Sequence, residues 1–286
     1  MLMIKKYFKF RLNVNLKLLW LAKSFLALST LLTLLTTDGE DLFRPFGRYV
    51  EHSYDLDIFK KLNLFLFFQS HESFFIHKSI AISILTLVVI NIFPKTISVL
   101  HWWVSFSFAT SVHFIDGGDQ INSVICLFLI PLTFIAHGKS RKNWYICNFG
   151  FFTFLFFKLQ FSMIYFHSLI GKLSVNEWST GTAIYNWFSN PIFGVSDFIL
   201  PLFTRIFQNI VLTNILNWSP MLILGILSFS LVASFNNSNL LYRNFVFFIG
   251  VAFHFLNFIF FGLSSFFLTM VGGLVLYLLP VYSYGE

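Results

Sequence analysis

The feature that most constrains this chain is the recurrence of apolar runs about 20 residues long with almost no charge inside them. A helix of that length matches the ~30 Å hydrocarbon core of a bilayer. Such runs fall at 18–36, 74–94, 97–114, 120–137, 145–171, 196–216, 219–235, 243–260 and 263–280. They predict an all-α polytopic membrane protein, a bundle of eight to nine transmembrane helices. Only 11% of the 286 residues are charged while 57% are hydrophobic. A soluble domain carries about 25% charged residues, so the chain lacks the polar surface to dissolve. The spans leave no room for a separate soluble domain, and 1–286 reads as one transmembrane domain.

The formal charge of +7 does not point to nucleic acid. Lys5, Lys6, Lys9, Arg11 and Lys17 precede the first span in a basic leader, 1–17, and Lys139, Arg141 and Lys142 form a second cluster. Both flank spans, as topology signals and contacts for anionic lipid do. With a cytoplasmic N-terminus, four crossings return the second cluster to the cytoplasm. Asp38, Glu40 and Asp41, then Asp116 and Asp119, then Glu177 and Asp197, fall on the opposite face. The first span lacks a convincing cleavage site and reads as a signal anchor in a bacterial cytoplasmic membrane. Segment 38–73 is an extracytoplasmic or interfacial stretch whose apolar run Leu62–Phe68 is too short to cross. Asn217–Pro220 and Asn236–Asn239 read as uncharged turns.

Several familiar site patterns are absent. Phe75 stands where a zinc-protease helix opening at His71-Glu72 requires its second His. No two of the eight histidines are spaced i, i+4, and Cys126 and Cys147 form no CxxC, so no metal site is indicated. Gly262-Leu263-Ser264 with His254 reads as helix packing rather than an intramembrane protease. No phosphate-binding loop is present.

The polar residues inside the spans are more informative, because strongly polar groups at membrane depth normally face a protein interior or a wet cavity. His101 and His113 interrupt the third run. In the fifth, Lys158, Tyr165 and Lys172 recur every seven residues on one helix face, and Gln160 and His167 share another. Polar groups on two faces predict a central helix and a bundle enclosing a polar, extracytoplasmic-facing chamber. Lys172 lies at the outer end of that helix, followed by Trp178, Thr182 and Tyr185. Asp116-Gly117-Gly118-Asp119 forms a tight reversal on the same face, with Asp119 expected as the N-cap of the next helix.

Together the segments Asp116–Asp119, Tyr165…Gly171-Lys172-Leu173…Trp178…Gly181-Thr182-Ala183…Tyr185 and His254…Phe267…Met270 resemble the HTTM superfamily, the membrane domain shared with vitamin K-dependent gamma-carboxylase. The chain length is similar to the bacterial sporulation-delaying protein B branch. The resemblance implies a lysine base at Lys172, with Asp116 and Asp119 as further catalytic candidates. Gln160, Tyr165, His167, Trp178, Thr182, Tyr185, His113 and His254 are the expected substrate-binding groups. The histidine of the carboxylases is replaced near Asp119, and their large lumenal domain is missing, so the chamber and lysine carry over but carboxylation does not. The resemblance to the sporulation-delaying branch implies maturation of a secreted antimicrobial peptide. Its partners would be the peptide precursor, a small partner protein and membrane lipid. A quinol- or lipid-dependent enzyme using the lysine, and a transporter or immunity-type protein, are the alternative readings. No cofactor follows from these residues.

Overall fold

Uncharged polar side chains at membrane depth must find partners within the protein, and the helices of this chain meet that demand first from their own backbones. In a computed structural model, Thr33, Ser83, Thr86 and Thr110 donate to the carbonyl four residues earlier. The structure describes residues 11–37, 42–43, 62–65, 71–112, 116–138, 143–191, 194–196, 198–234 and 240–285. Strand β1 (Arg11–Val14) leads into α1 (Leu16–Thr36). Helices α2 (His71–Val89), α3 (Pro94–Ser111), α4 (Gly117–Ala136) and α5 (Trp144–Leu173) follow. Two short helices, α6 (Asn176–Thr180) and α7 (Ala183–Phe188), then precede α8 (Leu200–Phe207) and α9 (Ile210–Ser234). The chain ends with α10 (Leu240–Phe261), α11 (Ser264–Leu278) and β2 (Tyr282–Gly285).

Among the described residues, five helices, α1, α4, α5, α9 and α10, are long and apolar enough to cross a membrane, which makes this a multi-pass membrane protein. Apolar helices within α2 and α11 are shorter. Local chemistry sets several starts. The Asn15 side chain accepts from the Lys17 and Leu18 amides, and Asn143 caps α5 through the Tyr145 amide. Pro94 opens α3, where its missing N–H costs nothing.

The sixth and seventh runs fold differently from expectation. Instead of spans at 196–216 and 219–235, the chain forms the eight-residue α8 and then the continuous 25-residue α9. Asn217–Pro220 is therefore not a turn. Pro220 sits inside the helix, as proline can in a bundle where neighbours satisfy the freed carbonyl.

Helix α11 is the core element, with every residue from Thr269 to Leu278 buried between α1, α4, α5, α9 and α10. Gly272-Gly273 does not interrupt it. A Cβ on Gly272 would sit 2.9 Å from Leu26 Cγ and 3.0 Å from the Ala22 carbonyl, and one on Gly273 would strike the Phe161 ring. The pair lets α11 approach α1 and α5 closely, a familiar use of small residues between membrane helices. Because α1 begins where α11 ends, the flanking residues meet. β1 and β2 pair antiparallel, Val14 opposite Tyr282, and the Asn15 amide donates to Val281 O at 2.8 Å.

This ribbon marks one end of the bundle. Trp20 donates to Val89 O, Lys23 to Pro94 O and Tyr282 to Leu132 O, so α2 and α4 end, and α3 begins, near it. The far end gathers the start of α4 and α11 and the end of α5. Within segment 38–73, Leu62–Phe65 folds onto α3. Asn63 donates to Ser107 O and Thr110 Oγ1 and accepts from Ser111, and the Leu64 amide donates to Ser107 Oγ. The rest of the apolar run, Leu66–Phe68, and the cluster Lys139, Arg141 and Lys142 lie outside the described residues.

Candidate functional site

At the far end, α5 closes with Lys172 in its last turn. The Lys172 ammonium donates to Ser168 Oγ at 3.1 Å, one turn earlier, and lies 5.5 Å from the centre of the Trp178 ring. A cation over an indole face gains about 0.5–2 kcal/mol, depending on how dry the site is. Ser168 takes one of the three ammonium donors, so the group can also bind a carbonyl or carboxylate.

Trp178 is buried on α6, and the geometry that holds it comes from α9. Asn217 is fully buried, donates to Trp178 O at 2.7 Å and accepts from the Ile184 amide at 3.4 Å. One carboxamide thus ties α6 and α7 to α9. Gly181 adopts φ +82° between them, and a Cβ there would meet Asn214 Oδ1. The left-handed backbone at Gly181 is what requires the glycine of the Gly181-Thr182 motif. Thr182 Oγ1 lies 3.2 Å from Thr180 Oγ1, and Tyr185 is exposed with its ring edge-on to Phe207.

A second group is built on the Asp116–Asp119 reversal. The N-cap of α4 is Asp116 and not the expected Asp119: the helix starts at Gly117, so Asp119 falls in its first turn and its amide donates to Asp116 Oδ1 at 3.0 Å. The other Asp116 oxygen accepts a hydrogen bond from Ser265 on α11. Asp119 is buried, and its Oδ1 has no hydrogen-bond partner among the described residues. Gly118 lets the backbone of Phe266 approach so closely that a Cβ would lie 2.6 Å from Phe266 Cα.

Phe266 leads to a third group. Its ring packs 5.3 Å from the buried His254, whose Nε2 is 3.1 Å from Tyr165 Oη. If Tyr165 donates, His254 carries its proton on Nδ1, an atom with no partner among the described residues. This pair can therefore accept or relay a proton only through Tyr165 unless a ligand reaches Nδ1.

The sequence candidates thus fall into three groups instead of lining one chamber. Lys172, Trp178, Thr182 and Tyr185 share the α5–α7 cap, Asp116 and Asp119 sit at the α4–α11 junction, and Tyr165 and His254 are buried between α5 and α10. Gln160 and His167 are exposed, away from the buried face of α5 that carries Lys158 and Tyr165. Their seven-residue spacing identified a shared face correctly but not its direction. His113 lies outside the described residues. Among the described residues, no group of three or more His, Cys, Asp or Glu could hold a metal ion.

Sequence reasoning missed the supporting residues Asn217, Ser168 and Ser265. It also missed a buried polar junction in which Asn122 donates to Leu26 O, Ser29 and Thr30 and accepts from Cys126, itself 3.6 Å from His101. The spacing of Asp119, Asn122 and Cys126 at i, i+3 and i+7 was the available signal for that face.

No protein-family model matches the chain, and no solved structure matches it. Two proteins of Bacillus subtilis (strain 168) are similar along most of their length. The uncharacterized protein YitO is 32% identical over 91% of this chain and 84% of its own. The sporulation-delaying protein SdpB is 30% identical over 91% of this chain and 80% of its own.

Proposed function

Because the chain belongs to the family of the sporulation-delaying protein SdpB, we propose that it is a membrane maturation factor for a secreted antimicrobial peptide. The peptide precursor and a small partner protein are its partners, and the work is done on the extracytoplasmic side. The observation that supports a defined site is the Asn217 clamp, which holds Trp178 against Lys172 at the end of α5. A side chain serving only as an interfacial anchor needs no such second support. In this reading Lys172 binds a carbonyl or carboxylate of the peptide, Trp178 fixes the ammonium, and Asp116 and Asp119 provide acidic groups at the same end of the bundle.

The test is deletion of the gene, followed by mass spectrometry of the secreted peptide in culture medium. Loss or altered mass of the mature peptide is expected, and an unchanged mature peptide overturns the proposal. Lys172→Ala and Lys172→Arg then separate the roles. A proton-accepting base fails in both variants, because arginine does not give up its proton, whereas a charge that only binds the peptide survives in Lys172→Arg.

A further inference from the structure

The exposed face of α5 is not uniformly apolar. Phe149, Phe156, Met163 and Ile170 recur every seven residues along it, each at least 41% exposed, and Gln160 and His167 repeat at the same interval beside them. Gln160 lies within two residues of the middle of this 30-residue helix. A helix of that length is about 45 Å long, so its midpoint falls well inside a ~30 Å hydrocarbon core. Gln160 and Gln120, from α4, flank a groove of about 210 Å³ otherwise lined by apolar residues such as Val124, Phe128 and Ile164. An acyl chain offers a carboxamide neither donor nor acceptor, and leaving such a group unpaired in hydrocarbon costs several kcal/mol.

We infer that this face binds a second copy of the chain, with Gln160 of each copy hydrogen-bonded across a two-fold axis. A carboxamide is both donor and acceptor, so it is its own complement. In an isologous dimer each residue on the axis meets itself, which turns one orphaned amide into a satisfied pair. The seven-residue repeat is the seam of a left-handed helix pair, the commonest packing in membrane bundles, and a single polar residue in such a seam fixes register. The groove beside Gln160 accepts a bulky seam residue of the other copy.

The full-length protein, reconstituted at low density in liposomes, tests this by single-molecule photobleaching and cysteine cross-linking. Two-step bleaching is expected for the wild type. Gln160→Leu, which suits lipid and leaves the buried face of α5 intact, raises the dimer dissociation constant roughly three- to thirtyfold, the usual worth of interhelical side-chain hydrogen bonds. Gln160→Cys and Met163→Cys form disulfide-linked dimers, while Phe248→Cys, exposed on α10, does not. A monomeric wild type overturns the inference, including one that retains lipid or another protein on this face. So does unchanged dimerisation of Gln160→Leu, or equal cross-linking at 160 and 248.

Discussion

The smallest unit that decides the site is a single carboxamide. Asn217 bonds to Trp178 O and the Ile184 amide from inside α9, so its removal leaves a buried backbone acceptor and donor unmatched. Asn217→Leu is expected to lower stability by about 1–3 kcal/mol and to reduce peptide maturation as far as Lys172→Ala does. Thermal unfolding in detergent and mass spectrometry of the peptide measure the two effects. If stability falls while maturation is unaffected, the α6–α7 cap is structural only. The Tyr165–His254 bond is weaker. Side-chain hydrogen bonds between membrane helices average ~0.6 kcal/mol, so a double-mutant cycle of Tyr165→Phe with His254→Phe should give a coupling of about that size.

At the scale of elements, α11 shows how close packing sets what a helix tolerates. Gly272 and Gly273 face Leu26, the Ala22 carbonyl and the Phe161 ring at distances that leave no space for a side chain. Gly273→Leu and Gly272→Leu should each cost about 1–3 kcal/mol by overpacking. Gly171, near the end of α5, has nothing within 4 Å of a built Cβ. Gly171→Ala should be neutral, or stabilising by up to about 1 kcal/mol through helix propensity. Parallel melting curves of the three variants compare them directly. Equal losses at 171 and 273 would mean that the α11 approach is not the constraint.

At the scale of the molecule, the two ends of the bundle differ in chemistry. The ribbon end carries Lys17 and adjoins the basic leader, while the far end carries Asp116, Lys172 and Glu177. Positively charged flanks are retained in the cytoplasm, which predicts that the far end faces outward. Ser174→Cys and Thr182→Cys, both at exposed positions, should react with a membrane-impermeant maleimide added to intact spheroplasts. Asn15→Cys should react only after permeabilisation. The native cysteines, Cys126 and Cys147, are buried and give little background. The opposite labelling pattern reverses the orientation and removes the site from the side of a secreted peptide.

The sequence by itself determined the membrane class, most helix positions, a capping carboxylate in the Asp116–Asp119 reversal, and the place of Lys172 at the end of α5 ahead of Trp178. Those properties depend on run length, charge and neighbours within a few positions, all of which are local. The division of 196–235 into α8 and α9 was not legible. Proline at 220 and asparagine at 217 read as breakers until a tertiary partner exists for the groups they free or present. The directions of the two polar faces of α5 were not legible either, since a seven-residue repeat fixes a face without naming what lies opposite. Only tertiary structure turned Lys158 and Tyr165 inward, left Gln160 outside, and brought Asn217 from α9 to the backbone of Trp178. Contacts between residues tens of positions apart depend on how whole helices pack, and helix periodicity does not carry that information.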